Sequence, residues 1–396
     1  MKKVKSLIRS AGFTSAASSV AAILVGMLFG FVIMLISNSR EALEGLAIIL
    51  GGGFGGGAKG VGQTFYYAIP MIMTGLSVGF AFKTGLFNIG ASGQFTVGAF
   101  VAIFIGIKWT FLPAPWHWIV ALMGSAVAGG LWALIPGLFK AYLNVNEVIS
   151  SIMMNYIGLF AVNFLMKLPA LKSPPPLFDS TMNLSSNTAP SAVIPKGFLE
   201  TLFPGSTVNY GIFIAIAVAI VMYIVLNKTA FGYELKACGY NRHASKYAGI
   251  NERRNIVLSM VIAGALSGLG GGLVYLSGAN GRRYKVVDML LNDGFNGISV
   301  ALLGLNNPLG IIFSALFIAY ITMGGEYLQR LDFAVEIIDI ITAAIIYFSA
   351  FALVFRTFIK KLTGLKDVLQ IVETGTPEAA LEAAKEAEKT EGEGKQ

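Results

Sequence analysis

Ten apolar runs, separated by glycine, proline, asparagine and charged residues, decide what this chain can fold into: 16–37, 65–82, 86–107, 116–139, 147–166, 209–226, 255–277, 291–304, 308–324 and 337–355. About 20 apolar residues in a helix cross a hydrocarbon core about 30 Å thick, because each helical residue rises about 1.5 Å. The run 291–304 is too short for a regular span and is expected to be a half-helix or a re-entrant piece. The expected fold class is an all-α polytopic membrane protein with eight to ten crossings, some of them short or broken. Composition excludes an ordinary soluble domain, since 55% of the 396 residues are hydrophobic and only 13% charged.

The start, MKKVKSLIR, looks like the basic head of a signal peptide, but the apolar stretch 16–36 outruns a signal core and no small-residue cleavage site follows. An uncleaved first helix is expected. Residues 1–15 then form a cytoplasmic N-terminus, 16–357 the membrane domain and 358–396 a tail. Disorder is expected from about residue 373, because Glu373–Gln396 carries seven glutamates, three lysines and no aromatic residue. Without Glu373–Gln396, 26 basic and 14 acidic side chains remain, so the formal charge rises from +8 to +12. Nucleic-acid binding is not expected from this excess, because the charges lie between apolar spans, as cytoplasmic loops require. With ten crossings and the N-terminus inside, 19 of the 29 Lys and Arg are cytoplasmic, which places both termini there; Arg282, Arg283 and Lys285 run against the bias.

An energy source is not legible in the chain. The nearest approach to a phosphate-binding P-loop is GFGGGAKG at 53–60, with Ala58 where the second glycine belongs and Gly60 where Ser or Thr belongs. Gly51, Gly53 and Gly56 also match G-x-G-x-x-G, but no βαβ pattern surrounds them, and a flexible external loop is expected. Acidic residues sit at the ends of runs: Glu147, Glu336 and Asp339 open segments, and Asp293 begins the short one. That placement argues against proton coupling through a mid-membrane carboxylate. A single Cys238 and two histidines, His117 and His243, make metal and redox chemistry poor expectations, and no nucleophile–base–acid constellation stands out.

Polar residues inside the apolar runs are the pathway candidates. GLFNIGASGQ at 85–94 supplies Asn88 and Gln94, and later runs supply Asn155 and Asn296. Their amides suit a neutral solute without requiring a buried charge; equally, they suit bonds to other helices or to backbone freed by glycine breaks. Gly264, Gly268 and Gly272 form a bare stripe at four-residue spacing, where another helix can approach closely. Two connections stand out. The external one, 168–208, is rich in proline and reads as a partner platform or an irregular cap. The cytoplasmic one, 227–254, contains NRHASKYAGIN, in which Asn241 can cap a short helix, Ala244, Tyr247 and Ala248 share a face, and Gly249 can supply a left-handed stop. Such a helix suits a push from a separate protein, or a solvated surface with no partner.

The stretch ACGYNRHASKYAGI resembles the coupling loop of ATP-binding-cassette (ABC) importer permeases of the ribose and nucleoside branch, matching at Gly239, Asn241, Ala244, Tyr247, Ala248, Gly249 and Ile250. GLFNIGASGQ is similar to that family's Asn-Ile-Gly-x-x-Gly-Gln signature, and GLFKAYLNVNEVISSIMMNYI to its next landmark through Lys140, Asn146, Glu147, Asn155 and Tyr156. Ser92 departs from the pattern where many members carry Glu, as does Ser245 where Ala is common. The long external loop resembles the larger of two paired permeases in nucleoside importers. The resemblance implies a type II ABC importer-like permease fold in a bacterial cell membrane. It implies a pathway for nucleosides, with a ribose-like sugar as the alternative within the family; apart from the resemblance, an ion-coupled secondary transporter is the rival class. It also implies three partners: a cytoplasmic ATPase, a second homologous permease and a lipid-anchored extracellular nucleoside-binding protein. No cofactor is expected on this chain; ATP and Mg belong to the ATPase. Tyr247, Ala248, Gly249 and Ile250 are then expected to dock on that ATPase, with Arg242, Lys246, Arg253 and Arg254 around them.

Overall fold

A computed structural model describes residues 11–168, 171, 189–278, 281–349, 351, 354 and 357. The chain divides into two units, Met1–Ala21 with Ala352–Gln396, and Ala22–Phe351; the architecture below is that of the second. The described elements are helices: α1 (Ala11–Ser37), α2 (Ala42–Gly51), a 3-10 turn (Gly52–Gly56), α3 (Gly57–Lys83), α4 (Ala91–Lys108), α5 (Trp116–Leu143), α6 (Glu147–Met166), α7 (Leu199–Leu202), α8 (Gly211–Lys228), α9 (Ala230–Tyr240), α10 (Arg242–Tyr247), α11 (Glu252–Tyr275), α12 (Asn292–Leu303), α13 (Pro308–Tyr327) and α14 (Val335–Ser349). Among the described residues, eight helical stretches are long and apolar enough to cross a membrane. α12, with 12 residues, extends only about 18 Å at about 1.5 Å per residue, so it is the expected half-helix. The acidic tail from residue 373 lies outside the described residues, as do 169–170 and 172–188 of the proline-rich connection.

Helix starts explain themselves locally. Asn146 caps α6 through Val148 N at 2.8 Å, Asn251 caps α11 through Arg254 N at 3.1 Å, and Asn307 caps α13 through Leu309 N at 3.0 Å. Each side-chain oxygen satisfies a backbone N–H that the first turn leaves without a partner. At the end of α3, Gly85 adopts φ +71°, while Gly85 N bonds Phe82 O and Leu86 N bonds Ala81 O. This is a Schellman stop, and it turns the chain back alongside the helix it has just left.

α11 is the central post, packed against α5, α4 and α3. Its glycine stripe works as expected: a Cβ at Gly264 would collide with Ala133, one at Gly268 with the Ser125 carbonyl, and one at Gly272 with Ser125 Oγ. Lipid tails are as apolar as leucine, so hydrophobic burial gives little drive between membrane helices; close backbone approach has to supply the attraction instead. A second cluster joins α1, α2, α13 and α14 through Met34, Ile49, Ile321, Ile341 and Ile345.

Two expectations need correction. The glycine-rich stretch 51–60 is not a flexible loop: it is the end of α2, a 3-10 turn and the start of α3. Gly52, Gly53, Gly56 and Gly60 are packing positions, since a Cβ there would strike the Tyr320 ring, Thr64 Oγ1, the Tyr327 hydroxyl and the Gly53 carbonyl in turn. Nor does Asp293 lie at the rim. Its side chain is buried, and its carbonyl accepts a 3.0 Å bond from Thr74 Oγ1. Thr74 is the eighteenth residue of the 27 in α3, about 25 Å along that helix.

Candidate translocation and coupling sites

The stretch GLFNIGASGQ folds into the membrane domain rather than crossing it directly. After the stop at Gly85, residues 86–90 run back along α3 until Asn88 Nδ2 reaches Ser77 Oγ at 3.0 Å. α4 therefore begins inside the helix bundle. Asn88 and Gln94 then pair reciprocally: Asn88 Nδ2 donates to Gln94 Oε1 at 2.8 Å and Gln94 Nε2 donates to Asn88 Oδ1 at 3.0 Å. Asn155, on α6, secures the other side, donating to Ile89 O at 3.0 Å and accepting from Gly93 N at 2.8 Å. All three are buried. Their amides satisfy backbone and side-chain groups that the break would otherwise leave unpaired in a low-dielectric interior. Ser92, where resemblance leads one to expect a carboxylate, donates to Leu291 O at 2.8 Å and packs against Gly294 so tightly that a Cβ there would collide with it.

Asn296 differs from these three. It is half-buried, and its side chain forms no hydrogen bond to the described residues. It lies one turn into α12, whose start meets the start of α4 through the Ser92–Gly294 contact. Two helix N-termini thus converge within the bundle, one from GLFNIGASGQ and one from the short run at 292–303. Such convergence brings backbone N–H groups and positive dipole ends together inside the bundle.

The connection 227–254 is a helical hairpin, α9 followed by α10. Asn241 caps α10 by accepting from Ala244 N at 3.0 Å. Gly249, at φ +79°, ends it with a second Schellman stop, in which Gly249 N bonds Lys246 O and Ile250 N bonds Ser245 O. Ser245 is turned inward and donates to Asn241 O at 2.9 Å. Ala244, Lys246, Tyr247, Ala248 and Gly249 are exposed, with Tyr247 at 95%, while Arg242 and Ile250 are half-buried. Arg253 and Arg254 are exposed beside them, and the Arg253 guanidinium lies 5.4 Å from the Tyr142 ring centre. α9 was not legible as a separate helix; its cap, Thr229 to Gly232 N at 3.0 Å, is the signal that could have found it.

The two sites touch. A Cβ built on Gly85 would lie 2.9 Å from Gly239 Cα, and one built on Gly239 would lie 2.9 Å from Gly85 N. The end of α9 thus rests backbone-to-backbone on the turn that launches the re-entrant stretch. Thr84 Oγ1, within hydrogen-bond distance of Ser259 Oγ, ties the same turn to α11. At the next junction, Lys140 and Glu147 pair at 2.7 Å between the end of α5 and the start of α6.

Sequence comparison then decides the family. The model for branched-chain amino acid transport system permease components matches residues 60–350. The chain belongs to this family. Over 348 residues it is 38% identical to the guanosine ABC transporter permease protein NupP of Bacillus subtilis, covering 86% of this chain and 94% of the relative. Over 347 residues it is 36% identical to the nucleoside ABC transporter permease protein NupB of Lactococcus lactis, covering 87% and 93%. Similarity extends to the glucose ABC transporter permease protein TsgB13 of Haloferax volcanii, 29% identical over 292 residues and covering 73% and 75%. A further guanosine permease of B. subtilis, NupQ, is 27% identical over 275 residues and covers 66% and 79%. No solved structure matches the chain. Fold and family therefore agree on a multi-pass membrane protein that serves as an ABC permease component.

Proposed function

We propose that this chain forms one half of a nucleoside pathway in an ABC importer and that a separate ATPase drives it through the α9–α10 hairpin. The observation that carries the mechanism is the Gly85–Gly239 contact. A displacement of the hairpin cannot be absorbed there by side-chain flexing, because both faces are backbone. It is passed to the turn at Gly85 and so to Asn88, Gln94 and the start of α4. Tyr247, Ala248, Gly249 and Ile250 dock on the ATPase, with Arg242, Lys246, Arg253 and Arg254 supplying charge around them. ATP and Mg are bound by that partner.

On the pathway itself, Asn88, Gln94 and Asn155 act by holding the break in shape, and Asn296 is the amide open to solute. Neutral donors and acceptors fit a nucleoside better than a phosphate ester. The names of the two relatives above 35% identity support the nucleoside class. The match to NupQ as well as NupP supports a second, homologous permease as the other half of the pathway. An extracellular nucleoside-binding protein delivers substrate, and both termini face the cytoplasm, a placement the charge bias of the loops supports. A simple sugar is the second reading, favoured by the likeness to the glucose permease.

Reconstitution with the ATPase and second permease, followed by uptake over a panel of nucleosides and pentoses, tests the proposal. ATP-dependent nucleoside uptake is the expected result. Uptake of sugars alone overturns the substrate class, and uptake that follows an ion gradient without ATP overturns the coupling.

A further inference from the structure

Outside the amide network lies a run of charged and aromatic groups. Arg282 Nη1 donates to both carboxylate oxygens of Asp293, at 2.8 and 2.6 Å. The guanidinium also lies 5.3 Å from the centre of the Tyr67 ring, whose hydroxyl donates to Glu326 Oε1 at 2.9 Å. Tyr67 is the eleventh of the 27 residues of α3, about 15 Å along it, and Asp293 lies on the other side of the helix midpoint, beside Thr74. Charged side chains at such depth among apolar helices face the bundle interior or a water-filled space, because lipid offers them no hydration. The Arg282 side chain is 36% exposed and that of Asp293 10% exposed, so the pair is not sealed inside protein. Its open side therefore meets water. Asn296 follows Asp293 by one turn, which puts the two on one face of α12.

We infer that Arg282 and Asp293 act together as a charge filter on the aqueous route: Asp293 keeps the guanidinium from holding anionic solutes such as phosphate esters, while neutral solutes pass. A guanidinium binds phosphate through charge-assisted, often paired, hydrogen bonds. Here Asp293 already occupies that position as a tethered anion, at an effective concentration that free solute does not match. The neutral pair leaves the route without a fixed charge at this point. The inference rests on the reading of this chain as a pathway subunit, but not on which solute it carries.

The test uses the absence of other thiols: Cys238 is the single cysteine, so Asn296→Cys in a Cys238→Ser background presents one thiol at the filter. In membranes carrying the full chain, its labelling by an anionic sulfonatoethyl and a cationic trimethylammonioethyl methanethiosulfonate is timed. Both reagents are expected to react. Adding Asp293→Asn frees the guanidinium and should raise the anionic-to-cationic rate ratio about tenfold, as a nearby unit charge in partly screened water does. Arg282→Gln alone should lower the ratio by a similar factor, and this variant decides the matter if Asp293→Asn does not reach the membrane. No reaction with either reagent, or a ratio that neither substitution moves, overturns the filter. Because labelling needs no transport, these failures are distinct from a failure of nucleoside uptake.

Discussion

Gly85 and Gly249 do the same backbone work in different surroundings. Both end a helix with a left-handed turn, at φ +71° and +79°, and both carry the paired hydrogen bonds of a Schellman stop. The space beside Gly85 is filled by Gly239, whereas nothing lies within 4 Å of a Cβ on Gly249. The difference separates what this chain completes by itself from what it leaves open. Around Gly85 the neighbouring Asn88, Gln94 and Asn155 are buried and hydrogen-bonded through both ends of each amide; around Gly249 the neighbouring Tyr247 projects into open space. A buried, self-satisfied site reports on the fold. An exposed, self-capped one is free to report on a partner.

Substitutions that respect this contrast should divide stability from coupling. Gly249→Arg has the largest expected effect on function: ATP-dependent uptake falls about tenfold or more, as loss of a central interface contact does. The chain should still insert at normal levels, with a stability cost of about 1 kcal/mol from the left-handed backbone alone. Normal uptake by the assembled variant would remove the coupling role. Next comes Asn88→Ala, which strands the Gln94 amide in the interior and should cost about 1–3 kcal/mol, read as a lower Tm of the solubilised chain. Adding Gln94→Ala should cost less than the two single changes together, because the partners share one bond pair; strict additivity would contradict the reciprocal pairing. Tyr247→Ala should leave Tm unchanged yet weaken ATPase binding several-fold, up to about tenfold, measured by co-purification against ATPase concentration. Asn296→Ala is the gentlest. It should alter stability by no more than about 0.5 kcal/mol while raising the KM of uptake, and an unchanged KM would take Asn296 out of the pathway.

Much of the fold was legible because length and polarity carry it. The long spans, the short piece at 292–303, the glycine seam of α11, and the Asn241 cap and Gly249 stop of α10 all follow from local chemistry. What escaped notice was set by tertiary contact. The stretch 51–60 looks like a loop in one dimension because only packing against Tyr320, Thr64 and Gly53 shows why side chains are excluded at Gly52, Gly53 and Gly60. Asp293 reads as a segment end, since nothing local reveals that Arg282 meets it. The amides of Asn88, Gln94 and Asn155 were legible as important polar groups. Their partners were not, because Asn88 and Ser77 meet only once the chain has turned back at Gly85.

The account turns on the backbone contact between the hairpin and the re-entrant stretch. Its most direct test is Gly239→Ala, whose methyl group must push against the backbone of Lys83, Thr84 and Gly85. ATP hydrolysis and solute uptake should be measured on the same proteoliposomes, with the ATPase and second permease present. The predicted result is continued hydrolysis with fewer solute molecules carried per ATP. An unchanged ratio of uptake to hydrolysis would show that the push does not travel through this contact.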